Sequence, residues 1–492
     1  MERARGAAGV PLGVVLLGVL ATALAWARLG PVPRSTVWAE DGGVFLRERI
    51  ALGPLDTLLH PYAGYVHLVP RLVVDLGYAL PVTRYAQVLS ATSCLLVGLV
   101  AALVFVLSRD VVGSWPLRVV LAAVPVVLPL APYEISGNAA NLHWYALVLV
   151  PWAFAHRSRT WWGAVGLGVV VACAVLTEPL TVLFLPLLLL GWRDGRHGGA
   201  AGGTARGTAH GAAARGTAHG AARDTAGGTA RGTASGTSRG TAPGGGLRAL
   251  PVTVAALAGA VVQLVTTLTH PRPTVSGAPA FRDVVAGYLL RPVAGSWNPD
   301  VGAAVTAVVA HGWAVVLVPA GLLLVVLVAA VVVGPWHARW MVVALVLGSG
   351  AVWWAALVAN GGAGIPWAHP VAAMAALPPQ RYAAAAGMLL VSGAVVAAAT
   401  LLDPDHWSRP AGRPGGTARL LGSVAACCVV AAVVTSAVFV VAPGETRRSA
   451  GPVWAAQVPA AVEACHADPS LGVVRFRSAP WSSPVPCSWL ER

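Results

Sequence analysis

The stretch 312–333, GWAVVLVPAGLLLVVLVAAVVV, decides the fold. It carries no charged side chain, and its length satisfies the roughly 20 apolar residues a helix needs to cross a bilayer. Lipid offers no partner to backbone N–H and C=O groups, so a crossing segment must satisfy them itself, as a helix does. Similar runs occur at Val10–Ala27, Tyr85–Leu107, Leu117–Ala131, Leu142–Ala155, Trp161–Leu176, Leu180–Trp192, Leu250–Leu268, Met341–Ala359, Tyr382–Leu402 and Leu420–Val441. The expected architecture is an all-α polytopic membrane protein with about eleven transmembrane helices. Several runs are short for a full crossing and are expected to extend into their flanks or to be half-helices. The composition agrees. Of 492 residues, 57% are hydrophobic and 11% charged, with mean hydropathy +0.71; a soluble domain carries roughly 25% charged residues.

The net charge of +14 does not point to nucleic acid. The chain contains no lysine, and its arginines concentrate in loops. Arg109, Arg118, Arg157, Arg159, Arg339, Arg409, Arg413 and Arg419 fall on one side of the expected helices, while the turns 137–141 and 177–179 on the other side have none. By the positive-inside rule the N-terminus is cytoplasmic, and an odd helix count places the C-terminus outside a plasma membrane. The basic start MERARGAAGV and the apolar run after it resemble a signal peptide. The run continues to about Trp26 without an A-x-A site, so an uncleaved first helix is the expected state.

The chain divides into an N-terminal membrane module (1–197) with a long outer loop (30–84), a low-complexity cytoplasmic loop (198–246), a second membrane module (247–441) and a small outer tail (442–492). In the low-complexity loop RGTAHGAA occurs from Arg206 and again from Arg215. Such Gly/Ala/Thr sequence buries too little apolar area to offset its conformational entropy and is expected to be a disordered linker. In the tail, GPVWAAQVPAAVEACHADP reads as an amphipathic helix and GVVRFRSAP as a strand. Cys465 and Cys487 lie there, and an outer location would let them pair as a disulfide.

Chemistry-bearing residues gather in the outer segments. The first loop opens with the adjacent carboxylates Glu40 and Asp41, in STVWAEDGGVFLRERI. Such a pair near a membrane is costly unless solvated, hydrogen-bonded or bound to a cation. It reads as a solvated turn before Gly42–Gly43, as a general base, or as hard oxygen ligands for a divalent cation such as Mg or Mn. His60, Tyr62, Tyr65, His67 and Arg71 follow within one short segment. Arg71 could hold a phosphate, and the tyrosines equally fit interfacial anchoring. Glu134, Asn138, Asn141 and His143 sit where two spans meet the outer surface, and Glu178 lies between two apolar runs before Pro179. Arg381 and Tyr382 open a late span, where a cation on the outer side runs against the charge rule; it could bind a lipid phosphate or snorkel. No Walker A, zinc-ligand or G-x-S-x-G spacing occurs, so no nucleotide is expected and energy must come from the substrate or an ion gradient.

A helix, a long outer loop opening with the acidic pair Glu40–Asp41, many further spans and a late Arg381–Tyr382 resemble the GT-C superfamily of membrane glycosyltransferases. The resemblance covers about the first two hundred residues and the Arg381 region. It implies a polyprenyl-phosphate-sugar donor and transfer at the extracytoplasmic face, with Asp41 as base, Glu40 as support or cation ligand, and Arg381 with Tyr382 at the donor phosphate; Arg71 joins them by its chemistry alone. The tail is small beside the outer domains of that superfamily. A transporter or flippase of lipid-linked glycans, or a non-catalytic membrane scaffold, are the competing expectations.

Overall fold

The structure, a computed structural model, describes residues 2–192, 246–273, 275–360, 364–378, 381–404 and 416–492. The expected linker 198–246 lies outside the described residues except for Gly246, and so do Arg409 and Arg413.

The chain is a helical bundle. Among the described residues, eight helical segments are long and apolar enough to cross a membrane: Leu12–Leu29, Val82–Asp110, Trp115–Glu134, Gly246–Thr269, Ala314–Val333, Trp336–Ala359, Arg381–Leu402 and Gly416–Phe439. Three further expected spans are shorter, Leu142–Ala155, Trp161–Val175 and Pro179–Trp192, and a fourth short helix occupies Val301–His311. The expected runs that are short for a full crossing are thus short helices here. The 14 residues of Leu142–Ala155 rise only about 21 Å as a helix. All of them but Ala146 are buried, so protein rather than lipid sets the helix length.

The Arg381–Leu402 helix is the axis of the bundle. Ala-rich RYAAAAGM and SGAVVAAA stretches let neighbours approach closely. Trp336–Ala359, Ala314–Val333, Gly416–Phe439 and Trp115–Val127 pack around it. Ala383 through Ala398 are all buried. The peripheral helices instead turn Leu and Val side chains outward, among them Leu322, Val325 and Leu420, which suits lipid. Glycine sets another contact. The first helix, Glu2–Leu29, crosses Tyr85–Leu107 where a side-chain carbon on Gly98 would stand 2.6 Å from the Gly18 carbonyl oxygen.

The loop after the first helix and the C-terminal tail form one layer on the end of the bundle. The tail holds the helix Val458–Ala467 and an antiparallel hairpin, β1 (Val473–Arg477) with β2 (Ser482–Pro486), in which Phe476 pairs with Ser483. Cys465 and Cys487 form a disulfide with Cα atoms 5.8 Å apart. Trp454 donates its backbone N–H to Ser35 O (2.8 Å) and its indole N–H to Val82 O (2.9 Å). Ala479 N donates to Val37 O (3.0 Å), and the Trp489 indole to Leu80 O (3.1 Å).

Filling the helix crossing tests this packing. Gly98→Val is expected to cost about 1–3 kcal/mol, the usual range for overpacking a tight contact. A melting temperature in detergent equal to wild type would show that the first helix is not clamped there.

Candidate functional site

The acidic pair lies on a continuous helical segment rather than an open turn. Asp41–Leu46 follows π-helical geometry between Glu40 and the α-helical Arg47–Leu52, a form frequent at functional positions. Gly42 and Gly43 serve close approach. A side-chain carbon on Gly43 would lie 2.9 Å from the Trp481 ring, and one on Gly42 would lie 3.2 Å from Ser483 Cβ.

This geometry sends the two carboxylates in different directions. Asp41 points into protein, where Oδ2 accepts Ala139 N–H (3.0 Å) and Oδ1 accepts Ala140 N–H (2.7 Å). It therefore pins the turn between two helices and does not line the cavity beside it. Glu40 does line that cavity. Its Oε1 accepts from Arg381 Nη1 at 3.1 Å, and its buried Oε2 has no hydrogen-bond partner among the described residues. Of the two carboxylates expected in the site, Glu40 and not Asp41 faces the cavity. A cation shared by the pair does not fit, because Asp41 spends both oxygens on backbone amides and Glu40 Oε1 already meets a guanidinium. Among the described residues no cluster of three or more His, Cys, Asp and Glu side chains is arranged to hold a metal.

The cavity measures about 330 Å³. On one wall stand Glu40, Arg381 and Tyr382, with the Arg381 guanidinium 5.4 Å from the Tyr382 ring centre. Glu134, behind them, meets Arg381 Nη1 at 3.7 Å and Arg447 Nη1 at 3.3 Å. A second wall carries His143 and Glu178, paired through Nδ1 and Oε2. Glu178 Oε1 also accepts Leu180 N–H (2.8 Å), capping the tight helix Pro179–Leu187 that Pro179 begins. Tyr62, Tyr65 and His67 complete an aromatic side. Their turn closes by Tyr62–Tyr65 backbone bonds of 3.0 and 3.2 Å, with Ala63 in the left-handed region at φ 52°. His67 stacks on Tyr65, with ring centres 4.0 Å apart. Burial, then the nearby His143, hold His67 well below its ordinary pKa, so it is a neutral wall.

Other expected residues lie elsewhere. Arg71 is corrected: its Nη2 donates to Glu48 Oε2 (2.7 Å) and its guanidinium covers the Phe45 ring (5.0 Å), so Phe45, not Arg71, faces the cavity. His60 is not part of the lining. Asn138 builds the turn, donating to Glu134 O (2.8 Å) and accepting from Asn141 N (3.0 Å), while Asn141 reaches the lining.

Sequence reasoning missed Arg272 and Asn360. Both line the cavity, and Arg272 Nη2 donates to Asn360 Oδ1 at 2.9 Å. No carboxylate forms a salt bridge with Arg272 among the described residues. The signal was present, since Arg272 is a cation bordering an apolar run, as Arg381 is. Arg448 was also missed. It is buried and donates to Thr36 O (3.2 Å), Gly137 O (3.0 Å) and Ser136 O (2.6 Å).

Burial, opposed by the two amides, raises the Asp41 carboxyl from 3.8 to about 7. A pKa raised on folding gives stability that is complete below the unfolded value and lost as pH rises through the folded one. The melting temperature of wild type relative to Asp41→Asn is therefore expected to fall between pH 3.8 and about 7. A difference constant over that window would remove the buried carboxyl from the pH response.

No known protein family, curated protein or solved structure matches the chain.

Proposed function

We propose that this protein is an integral membrane glycosyltransferase that moves a sugar from a polyprenyl-phosphate donor to an extracytoplasmic acceptor of the cell envelope. The observation that carries the reading is the cavity itself. A carboxylate with one free oxygen and two guanidinium groups line a single pocket at the end of a lipid-facing helical bundle.

In the proposed reaction the Glu40 carboxylate takes the proton of the acceptor hydroxyl as the hydroxyl oxygen bonds to the sugar C1. The bond from C1 to the phosphate oxygen breaks, and its electron pair leaves with polyprenyl phosphate. Negative charge gathers on that phosphate as the bond breaks, which positively charged donors offset. Arg272 suits this role because its side chain meets an amide and no carboxylate among the described residues, whereas Arg381 already meets Glu40 and Glu134. The His143–Glu178 pair, Tyr62, Tyr65 and Tyr382 would frame the sugar and the first isoprene units. Activation resides in the donor, so the scheme uses no nucleotide.

We place the cavity outside the plasma membrane. Three arginines at the far end of the bundle, Arg157, Arg159 and Arg248, sit where helix ends meet: Arg157 Nη2 lies 3.0 Å from His337 Nε2, and Arg248 donates to Arg159 O at 2.6 Å. By the charge rule that end is cytoplasmic. The eight long helices and the three short ones within the expected spans then give eleven crossings, with the N-terminus inside and the tail outside.

Sugar transfer from polyprenyl-phosphate donors by purified protein in lipid nanodiscs tests the reading. Glu40→Gln is expected to lower turnover by about 10²–10⁴-fold, the range for loss of a general base. Arg272→Gln is expected to weaken donor use by about 10–100-fold, the free-energy range of one charged hydrogen bond. Undiminished turnover in Glu40→Gln would sink the assignment. Movement of lipid-linked glycan across the bilayer without transfer would favour a flippase.

A further inference from the structure

The C-terminal tail touches the cavity through one chain of charges. Arg447 Nη1 lies 3.3 Å from Glu134 Oε1, the same oxygen lies 3.7 Å from Arg381 Nη1, and that nitrogen lies 3.1 Å from Glu40 Oε1. The signs alternate, two guanidinium groups against two carboxylates. The tail holds the Glu40 segment mechanically as well. Arg447 N donates to Tyr133 O (2.9 Å), and Arg448 ties Thr36 O to the carbonyls of Ser136 and Gly137. Ala479 N holds Val37 O, and Trp481 and Ser483 seat Gly43 and Gly42.

The consequence follows from counting charge. Arg381 has two carboxylates competing for it. Both are buried, their side chains 8% exposed for Glu134 and 11% for Glu40. An unpaired buried carboxylate is costly, so Glu134 needs a cation of its own. Arg447 supplies it, and its guanidinium also lies over the Trp38 ring at 5.8 Å. With Glu134 satisfied by Arg447, Arg381 is left to orient Glu40. Without Arg447, Glu134 draws Arg381 away.

We infer that Arg447 is a positioning residue for the cavity: by pairing with Glu134 it leaves Arg381 to hold Glu40, so the tail is a working part of the site. The catalytic consequence rests on the transferase reading, but the coupling itself does not. Arg447 suits a test because its side chain is 42% exposed and reaches Glu134 from the surface, so its replacement leaves the buried tail contacts of Arg448, Trp454 and Trp489 in place.

Two measurements on the full chain in nanodiscs decide it. The first is modification of Glu40 by a water-soluble carbodiimide and an amine, followed by peptide mass spectrometry. Arg447→Gln is expected to raise Glu40 labelling several-fold, and Arg447→Lys, which keeps a cation, to restore the wild-type level. The second is steady-state transfer. Arg447→Gln is expected to lower kcat by roughly tenfold, the free energy of one charged hydrogen bond, with KM for the donor unchanged and with rescue in Arg447→Lys. Labelling and kcat both equal to wild type in Arg447→Gln would overturn the inference, as would a lysine variant no better than the glutamine. Altered labelling in a protein that shows no transfer even as wild type would sustain the coupling and retire the transferase reading.

Discussion

One ion pair organises this end of the molecule. Glu40 and Arg381 are 341 positions apart in sequence, and their side chains meet at 3.1 Å where the bundle meets the layer above it. A carboxylate or a guanidinium alone at such a place is expensive, because neither lipid nor packed protein replaces its hydration. Pairing removes most of that cost and fixes two distant parts of the chain in register. Glu134 and Arg447 extend the pair into a row of alternating charge that reaches the surface, where the last member is partly solvated. The arrangement keeps net charge low while leaving Glu40 Oε2 buried and without a hydrogen-bond partner among the described residues.

The position of that pair depends on the packing beneath it. Arg381 opens the one long helix that neighbours enclose almost completely, and the small residues below it let those neighbours close in. A helix at the periphery would have delivered its first residue to the rim. The central one delivers it to the middle of the end face, where the first loop, the turn at 134–143, the segment 176–180 and the end of Trp336–Ala359 all converge. The cavity is the space left between those ends.

Asp41 and Arg448 show how buried charge can serve structure. Each spends its hydrogen bonds on backbone groups, Asp41 on the amides of Ala139 and Ala140 and Arg448 on the carbonyls of Thr36, Ser136 and Gly137. Together they clamp the turn 136–140 to the first loop, and the tail supplies one of the clamps. Adjacent residues thus divide the work: Asp41 holds the segment and Glu40 faces the space beside it. The same division occurs in the tail, where Arg448 is buried and Arg447 reaches Glu134.

The sequence by itself determined that the chain is a helical membrane protein, because runs without charge have no other stable environment. It also marked residues that meet at one cavity, because polar residues bordering such runs are few: Glu40, Tyr62, His67, His143, Glu178 and Arg381 were all legible and all line it. What only the tertiary structure decided was direction and partnership. Adjacent residues on a helix point about 100° apart, so dipeptide reading cannot tell Glu40 from Asp41, nor show that Arg71 would pair with Glu48. The partners of Arg272, Asn360 and the tail arginines were hidden for a related reason. Arg272 and Asn360 are 88 positions apart and Arg447 and Glu134 are 313 apart, and only the packing of the helices brings each pair together.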